Sequence, residues 1–343
     1  MNESREVSLQ AEDVRNGVDD PTGAGASDSA PSERGGFAAY RAISRPDHWF
    51  KNVLILPGTV VAAFASGTAI TAFAPDLLLG IASFCCIASA NYVINEWLDA
   101  PFDKFHPLKR DRPSVSMLLD ARLVWALYGL WTVLGIGFAA AVSSVAVIPA
   151  IALWVQGLAY NVSPVRTKDV PYLDVLSESI NNPIRLLMGW VVVVDTYWPP
   201  WSLVFAYWML GAFLMALKRY AEFRFIGSGE VAGLYRRSFR SYGESSLLVS
   251  SLIYAFLSAF CMGVFVVQYR LELILAVPFL AVGFAWYLQI GLKTASPAQR
   301  PERLYEERGF VVYLAVVGLL TMACFAIDLA WLPELLESSA PSP

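Results

Sequence analysis

The chain has 343 residues, of which 56% are apolar and 16% charged, and its mean hydropathy is +0.50. That balance is too apolar for an ordinary soluble domain and points to a polytopic membrane protein. The net charge of −4 comes partly from an acidic N-terminal stretch and implies no nucleic-acid partner. Cys85, Cys86, Cys261 and Cys324 all lie in apolar runs without the spacing of a zinc site or a disulfide framework, so they read as small apolar residues.

Residues 1–36 are rich in Ser, Gly, Asp and Glu and hold almost no large apolar side chains. They cannot bury enough surface to offset the entropy of ordering, so a disordered tail is expected, without the apolar core of a secretory signal peptide. A single membrane domain is expected over 37–335, followed by a short tail at 336–343. Arg45 to Asn52 mixes aromatic rings with cations directly before an apolar run, as at a membrane–water interface. With about 20 apolar residues per crossing, nine spans are expected, near 53–74, 77–98, 119–140, 142–160, 173–194, 201–219, 246–268, 271–292 and 309–332. Lys and Arg gather before the first span and in the loops that follow the second, fourth, sixth and eighth, whereas the opposite loops hold only Arg270. The N-terminus and the basic loops are therefore expected in the cytoplasm and the C-terminus on the other side.

The second expected span ends in polar residues. Asn91, Asn95 and Asp99 recur every four positions and share one helical face, and Pro101 is expected to end the regular helix and let Asp103 fold back nearby. Carboxylates at membrane depth are costly unless paired or hydrated, so this face is expected to border a bundle interior or cavity. Pairing of Asp99 and Asp103 with Lys104 or Lys109 in the headgroup layer is the plainer alternative. Hard oxygen ligands without a His or Cys pair suit Mg²⁺, which takes one or two carboxylates and leaves other positions to water and phosphate. A diphosphate is the matching ligand. Lys109, Arg110 and Arg112 then read either as phosphate contacts or as topology signals.

A second polar stretch, Tyr160 to Asp174, includes Arg166, Lys168 and Asp169 and follows the fourth span as the first stretch follows the second. Asp174, Glu178, Asn181 and Arg185 then form one polar stripe on an otherwise apolar helix, which either faces a cavity or closes on itself as a Glu178–Arg185 network. Lys218, Arg219 and Glu222 at the end of the sixth span belong either to the same site or to snorkelling anchors. A transporter or lipid-binding scaffold is a further reading of polar intramembrane residues, although no convincing internal repeat is visible.

Asn95-Glu96-x-x-Asp99-x-x-x-Asp103, followed by Arg112-Pro113, resembles the Asn-Asp-x-x-Asp-x-x-x-Asp motif of the UbiA superfamily of intramembrane prenyltransferases. The resemblance implies an all-α bundle of nine transmembrane helices around a central cavity. Glu96 stands where the usual motif has Asp, and Asp169 and Asp174 are five apart where the usual second motif spaces its carboxylates by four. The run His106 to Pro113, with Arg45-Pro46, Lys51-Asn52, Arg185, Gly189 and Lys218-Arg219, looks like the polyprenyl-phosphate phosphoribosyltransferase branch. That resemblance implies Mg²⁺-dependent transfer of 5-phosphoribose from phosphoribosyl diphosphate to a polyprenyl phosphate in a bacterial inner membrane. It implies Asn95, Asp99 and Asp103 as metal ligands and, with Asp174, as catalytic residues. Lys51, Asn91, Lys109, Arg112, Tyr160, Arg166, Lys168, Glu178, Arg185, Lys218, Arg219 and Glu222 are the implied substrate contacts. The runner-up is transfer of a polyprenyl group from its diphosphate to an aromatic or other small acceptor.

Overall fold

The computed structural model describes residues 34–104, 111–227, 232–233, 236–293, 296–299 and 301–336. Most of the expected N-terminal tail, Lys109 and residues 337–343 lie outside the described residues. Among the described residues the secondary structure is helical apart from one isolated bridge between Arg34 and Leu118. The main helices are α1 (Phe37–Ser44), α2 (Leu56–Ser66), α3 (Ile70–Asp103), α4 (Ala121–Val142), α5 (Val147–Asn161), α6 (Leu173–Ser179), α7 (Asn181–Val191), α8 (Trp201–Ile226), α9 (Glu244–Tyr269), α10 (Val277–Gly291), α11 (Arg308–Ala326) and α12 (Trp331–Leu336). A 3-10 segment over Pro46–Ile55 joins α1 to α2.

Phe37–Ser66 taken as one run, α3, α4, α8, α9 and α11 are long and apolar enough to cross a membrane, while α5 and α10 are shorter apolar helices. The all-α membrane bundle is thus borne out, and the expected figure of nine spans is not established by these lengths. The first expected span, 53–74, does not run through. Helix α2 stops at Gly67, which takes the left-handed conformation (φ 66) that glycine adopts without penalty, and α3 begins at Ile70. The fifth, 173–194, is broken into α6 and α7. Pro183 has no N–H to donate to the carbonyl four residues back and its ring crowds that position, so the ladder fails at Ser179–Ile180.

Large apolar side chains that face outward complete the membrane picture. Val133 on α4, Phe256 and Phe260 on α9 and Leu319 on α11 are each two-thirds exposed or more; large apolar side chains on the exterior of apolar helices are matched by lipid rather than water. Inside, helices approach closely where glycine stands. A Cβ on Gly189 would come 1.9 Å from the carbonyl oxygen of Ile55, and one on Gly58 would come 2.1 Å from that of Leu186, so α2 and α7 are in backbone contact. Phe84, Ile87, Leu153 and Met188 fill the space between α3, α5 and α7. Phe213, Leu217, Tyr287, Ile290 and Phe310 do so between α8, α10 and α11.

Helix α3 positions the site. Its 34 residues rise about 51 Å, well beyond a hydrocarbon core of about 30 Å. Its apolar first part fills the membrane interior, and its polar end, Asn91 to Asp103, reaches one face of the bundle.

Candidate functional site

That polar end opens into a cavity of about 1000 Å³ whose lining includes Asn91, Asn95, Asp99, Asp103, Arg112, Tyr160, Glu178, Arg185, Lys218, Arg219 and Glu222, together with Lys51. One arm of it is apolar, bounded by Leu210, Phe213, Leu280, Phe284, Leu314 and Val317 from α8, α10 and α11. Twelve of the residues singled out in the sequence thus share one cavity, although they come from the 3-10 segment, α3, α5, α6, α7, α8 and the loop after α3.

Around Asp99 the contacts are dense. Its Oδ1 accepts from Lys168 Nζ at 2.5 Å and from Arg166 Nη2 at 3.0 Å, and its Oδ2 accepts from Asn95 Nδ2 at 3.2 Å. Asn161 Oδ1 accepts from both Asn95 and Lys168 and ties α5 to the cluster. Arg112 donates to Asp103 Oδ2. The alternative of pairing within the loop after α3 is therefore replaced, for Asp99, by cations from the loop after α5. Arg166 adopts φ 24, a strained value for a residue with a side chain, and its guanidinium is fixed over the Phe102 ring at 4.9 Å and against Asp169 at 2.9 Å. Burial pushes the Lys168 ammonium down to about 8, against the upward pull of Asp99.

Asp99 and Asp103 stand one helical turn apart on a face that borders the cavity. Among the described residues no three His, Cys, Asp or Glu side chains gather to hold a metal on their own. A two-carboxylate set with an amide oxygen nearby nevertheless fits Mg²⁺, which completes its shell with water and phosphate. Glu96 is engaged elsewhere. It is 2% exposed, its Oε2 accepts from Arg45 Nε at 3.1 Å and its Oε1 from Ser114 at 3.4 Å, so it ties the N-terminal segment to the turn after Arg112.

Arg219 is the hub of a second cluster, next to the first through Tyr160, over whose ring Lys168 Nζ stands at 5.7 Å. It donates through Nε to Asp174 at 3.3 Å, through Nη1 to Glu222 at 3.1 Å, and through Nη2 to Glu178. Tyr160 donates to Glu178 at 2.8 Å and accepts from Arg236 at 3.2 Å. Asp174, expected as a catalytic residue, stands apart from the cavity lining. Its carboxylate is fully buried outside the cavity and is enclosed by Tyr242 Oη at 2.5 Å, Ser238 Oγ at 3.2 Å, Arg219, and Arg236 at 3.5 Å. The helical stripe fails at its first member because Asp174, in the opening turn of α6, faces α8 and the loop after it. A closed Glu178–Arg185 network is not present either. Glu178 pairs with Arg219 and lies 3.9 Å from Lys218, whereas Arg185 is held by Asn52 Oδ1 at 3.0 Å and by the Asn181 carbonyl at 3.2 Å.

Asn91 is more structural than expected: its amide donates to the Leu153 carbonyl at 2.9 Å and packs where a Cβ on Gly157 would stand. Arg45, His48, Tyr92 and Arg236 line the cavity without having been singled out as site residues. Arg45 had entered only through the Arg45-Pro46 pair of the branch resemblance, and Arg236 carried no signal beyond a positive charge near a span end, which topology alone explains.

The chain matches the UbiA prenyltransferase family over residues 54–317. It is 31% identical over 207 residues to a decaprenyl-phosphate phosphoribosyltransferase of Mycolicibacterium smegmatis, a match covering 59% of this chain and 62% of the relative. It is 36% identical over 95 residues to nodulation protein NoeC of Azorhizobium caulinodans, covering 28% of each. The fold is similar to that of a UbiA homolog from Archaeoglobus fulgidus bound to GPP and Mg²⁺, with TM-score 0.63 and 19% identity over 84% of this chain and 100% of that one. A digeranylgeranylglyceryl phosphate synthase structure aligns with TM-score 0.54 at 12% identity, over 84% of this chain and 96% of that one. With three quarters of its length inside the family match, this integral membrane chain is a member of the UbiA prenyltransferase family.

Proposed function

We propose that the protein transfers 5-phosphoribose from phosphoribosyl diphosphate to a polyprenyl phosphate, with release of diphosphate. The observation that carries this reading is the charge of the cavity: seven Lys or Arg side chains line it against four carboxylates, and it continues into an apolar arm. That surplus suits two anionic substrates, one of them a lipid. The named activity of the Mycolicibacterium relative supports the same reading.

In this reading Asn95, Asp99 and Asp103 hold Mg²⁺, which when bound neutralises charge on the diphosphate. Lys168, Arg166 and Arg112 contact its remaining oxygens. The C1–O bond of the ribose breaks with its electron pair leaving on the diphosphate, and a phosphate oxygen of the lipid forms the new bond to C1. The acceptor is already an anion, so no base has to take a proton. Preoriented guanidinium and ammonium groups stabilise the charge that develops on the leaving oxygen. Asp174 acts as a positioning residue, keeping Arg219 and Arg236 turned toward the cavity. The basic loops support an orientation with the polar mouth in the cytoplasm, and a bacterial inner membrane is the setting that fits.

Purified protein with Mg²⁺, polyprenyl phosphate and ribose-labelled phosphoribosyl diphosphate should yield lipid-extractable label. Its absence, alongside an active control membrane, refutes the reading. Prenyl transfer to a small acceptor is the second reading; the GPP-bound structure of the Archaeoglobus homolog favours it. Label entering from a polyprenyl diphosphate instead would establish it.

A further inference from the structure

Glu96 directly follows Asn95 in sequence, yet it stands about 100° round α3 from it, and it is 2% exposed. Burying a carboxylate so completely is costly unless cations and hydroxyls enclose it. Arg45 Nε donates to its Oε2 at 3.1 Å, and Ser114 Oγ approaches its Oε1 at 3.4 Å. Arg45 caps the end of α1 and Ser114 lies in the helical turn Pro113–Ser116, so one carboxylate joins two segments far apart in sequence.

That turn begins directly after Arg112. The Arg112 carbonyl accepts from the amides of Val115 and Ser116, each at 2.9 Å. The chain just beyond is tied to the N-terminal segment, because Gly35 N donates to Leu118 O at 2.9 Å and Asp120 N donates to Tyr40 Oη at 2.9 Å. Helix α1 is itself anchored: Ile43 packs with Val93 and Val124, and Trp131 donates to Ser44 Oγ at 3.1 Å. A path of contacts thus runs from α1 through Arg45, Glu96 and Ser114 to the backbone of Arg112, and from the Arg112 guanidinium to Asp103. Arg112 also lies within the electrostatic reach of both Arg45 and Glu96.

The backbone of Arg45 is an independent sign that this path is built. It takes φ 48 and ψ 56, a left-handed conformation that residues with a side chain rarely adopt. Such strain persists where the surroundings fix it. What Arg45 gains is the contact with Glu96 and a place 5.7 Å above the Tyr92 ring.

Arg112 has two partners to serve. In the free protein it pairs with Asp103, and with a metal-bound diphosphate in place its guanidinium has to swing to a phosphate oxygen. A side chain on a loop does this accurately only when its backbone is held from elsewhere. We infer that Glu96 is a positioning residue for Arg112, holding through Ser114 and Arg45 the backbone from which Arg112 reaches the diphosphate. The inference rests on the diphosphate site at Asp99 and Asp103, which both transfer reactions considered above share. It also accounts for the length of the side chain, since an Asp at this position would end one methylene short of Arg45.

The test uses the full chain in nanodiscs, with hydrogen exchange on the metal-free protein and calorimetric titration of inorganic diphosphate in Mg²⁺. Glu96→Gln should speed exchange over residues 113–120 by roughly tenfold or more and leave residues 252–260 of α9 unchanged. It should weaken diphosphate binding about 10-fold, as for groups that orient a metal site from behind. In an Arg112→Gln background the same change should cost less than about twofold, because residues acting in series do not add. Arg45→Gln should behave as Glu96→Gln does, and Arg45→Lys should retain part of the binding. If Glu96→Gln is too unstable to purify, Ser114→Ala reports on the same path, with a loss of about threefold that again vanishes in the Arg112→Gln background. The inference is overturned if Glu96→Gln binds diphosphate as the wild type does, or if its loss is the same with and without Arg112, the mark of a general packing defect. Absence of diphosphate binding by the wild type would overturn the metal–diphosphate site and the inference with it, whereas binding that is intact and indifferent to Glu96 overturns the inference alone.

Discussion

Replacing Asp174 by Ala separates a positioning role from a catalytic one. The carboxylate is fully buried and engaged by Tyr242, Ser238, Arg219 and Arg236. Its removal leaves Arg236 without its carboxylate and two hydroxyls without an acceptor, while Arg219 keeps Glu178 and Glu222. Breaking a buried ion pair from one side costs about 3–5 kcal/mol, which corresponds to a fall in melting temperature on the order of 10 °C. Asp99→Ala is the contrast. Its side chain is 18% exposed to the cavity, Lys168 keeps Asn161 and Arg166 keeps Asp169, so the expected loss is only about 1–2 kcal/mol. Differential scanning fluorimetry in detergent, paired with a Mg²⁺ titration of turnover, reads both effects. Asp174→Ala should lower the melting temperature sharply and leave the Mg²⁺ half-saturation of residual activity within threefold. An unchanged melting temperature with a tenfold rise in the Mg²⁺ requirement would refute the positioning role and support the catalytic role first expected for Asp174.

Other expectations follow from neighbouring contacts. Asp99→Asn together with Asp103→Asn should reduce turnover by at least 100-fold, a loss of about 3 kcal/mol of transition-state stabilisation, while the protein stays folded; retained activity in a steady-state assay counts against Mg²⁺ at this pair. In the free protein Lys168 loses its proton as pH rises through about 8, so about a tenth remains charged at pH 9. The kcat/KM for the diphosphate donor should therefore fall several-fold between pH 7 and 9 in the wild type and stay level in Lys168→Arg. Gly189→Val would drive a side chain into the Ile55 carbonyl, 1.9 Å from the position of its Cβ, and should cost roughly 1–3 kcal/mol or more, visible as a lower melting temperature with no change in Mg²⁺ dependence.

The polar end of α3 was legible because one element carries it. A four-residue repeat on a helix places Asn91, Asn95 and Asp99 on one face whatever surrounds them, and Glu178, Asn181 and Arg185 reached the cavity for the same reason. Partnerships across the fold were not legible in this way. Nothing local to Asp174 distinguishes a carboxylate facing a cavity from one enclosed by Tyr242 and Ser238, 68 and 64 residues away. Arg236 looks like any other cation in a basic loop until Tyr160 and Asp174 are seen beside it. The span boundaries failed at two residues whose effect is conformational: Gly67, which ends α2 early, and Pro183, which splits the fifth expected span. Hydropathy averages over both.

The most direct test of the diphosphate site is a cryo-EM map of the full chain in nanodiscs with Mg²⁺ and a non-hydrolysable phosphoribosyl diphosphate analogue. Density for the metal and diphosphate should lie against Asp99 and Asp103, with Lys168, Arg166 and Arg112 turned onto the phosphates. Diphosphate density against Arg219 and Glu178, with Asp99 still closed on Lys168, would contradict it.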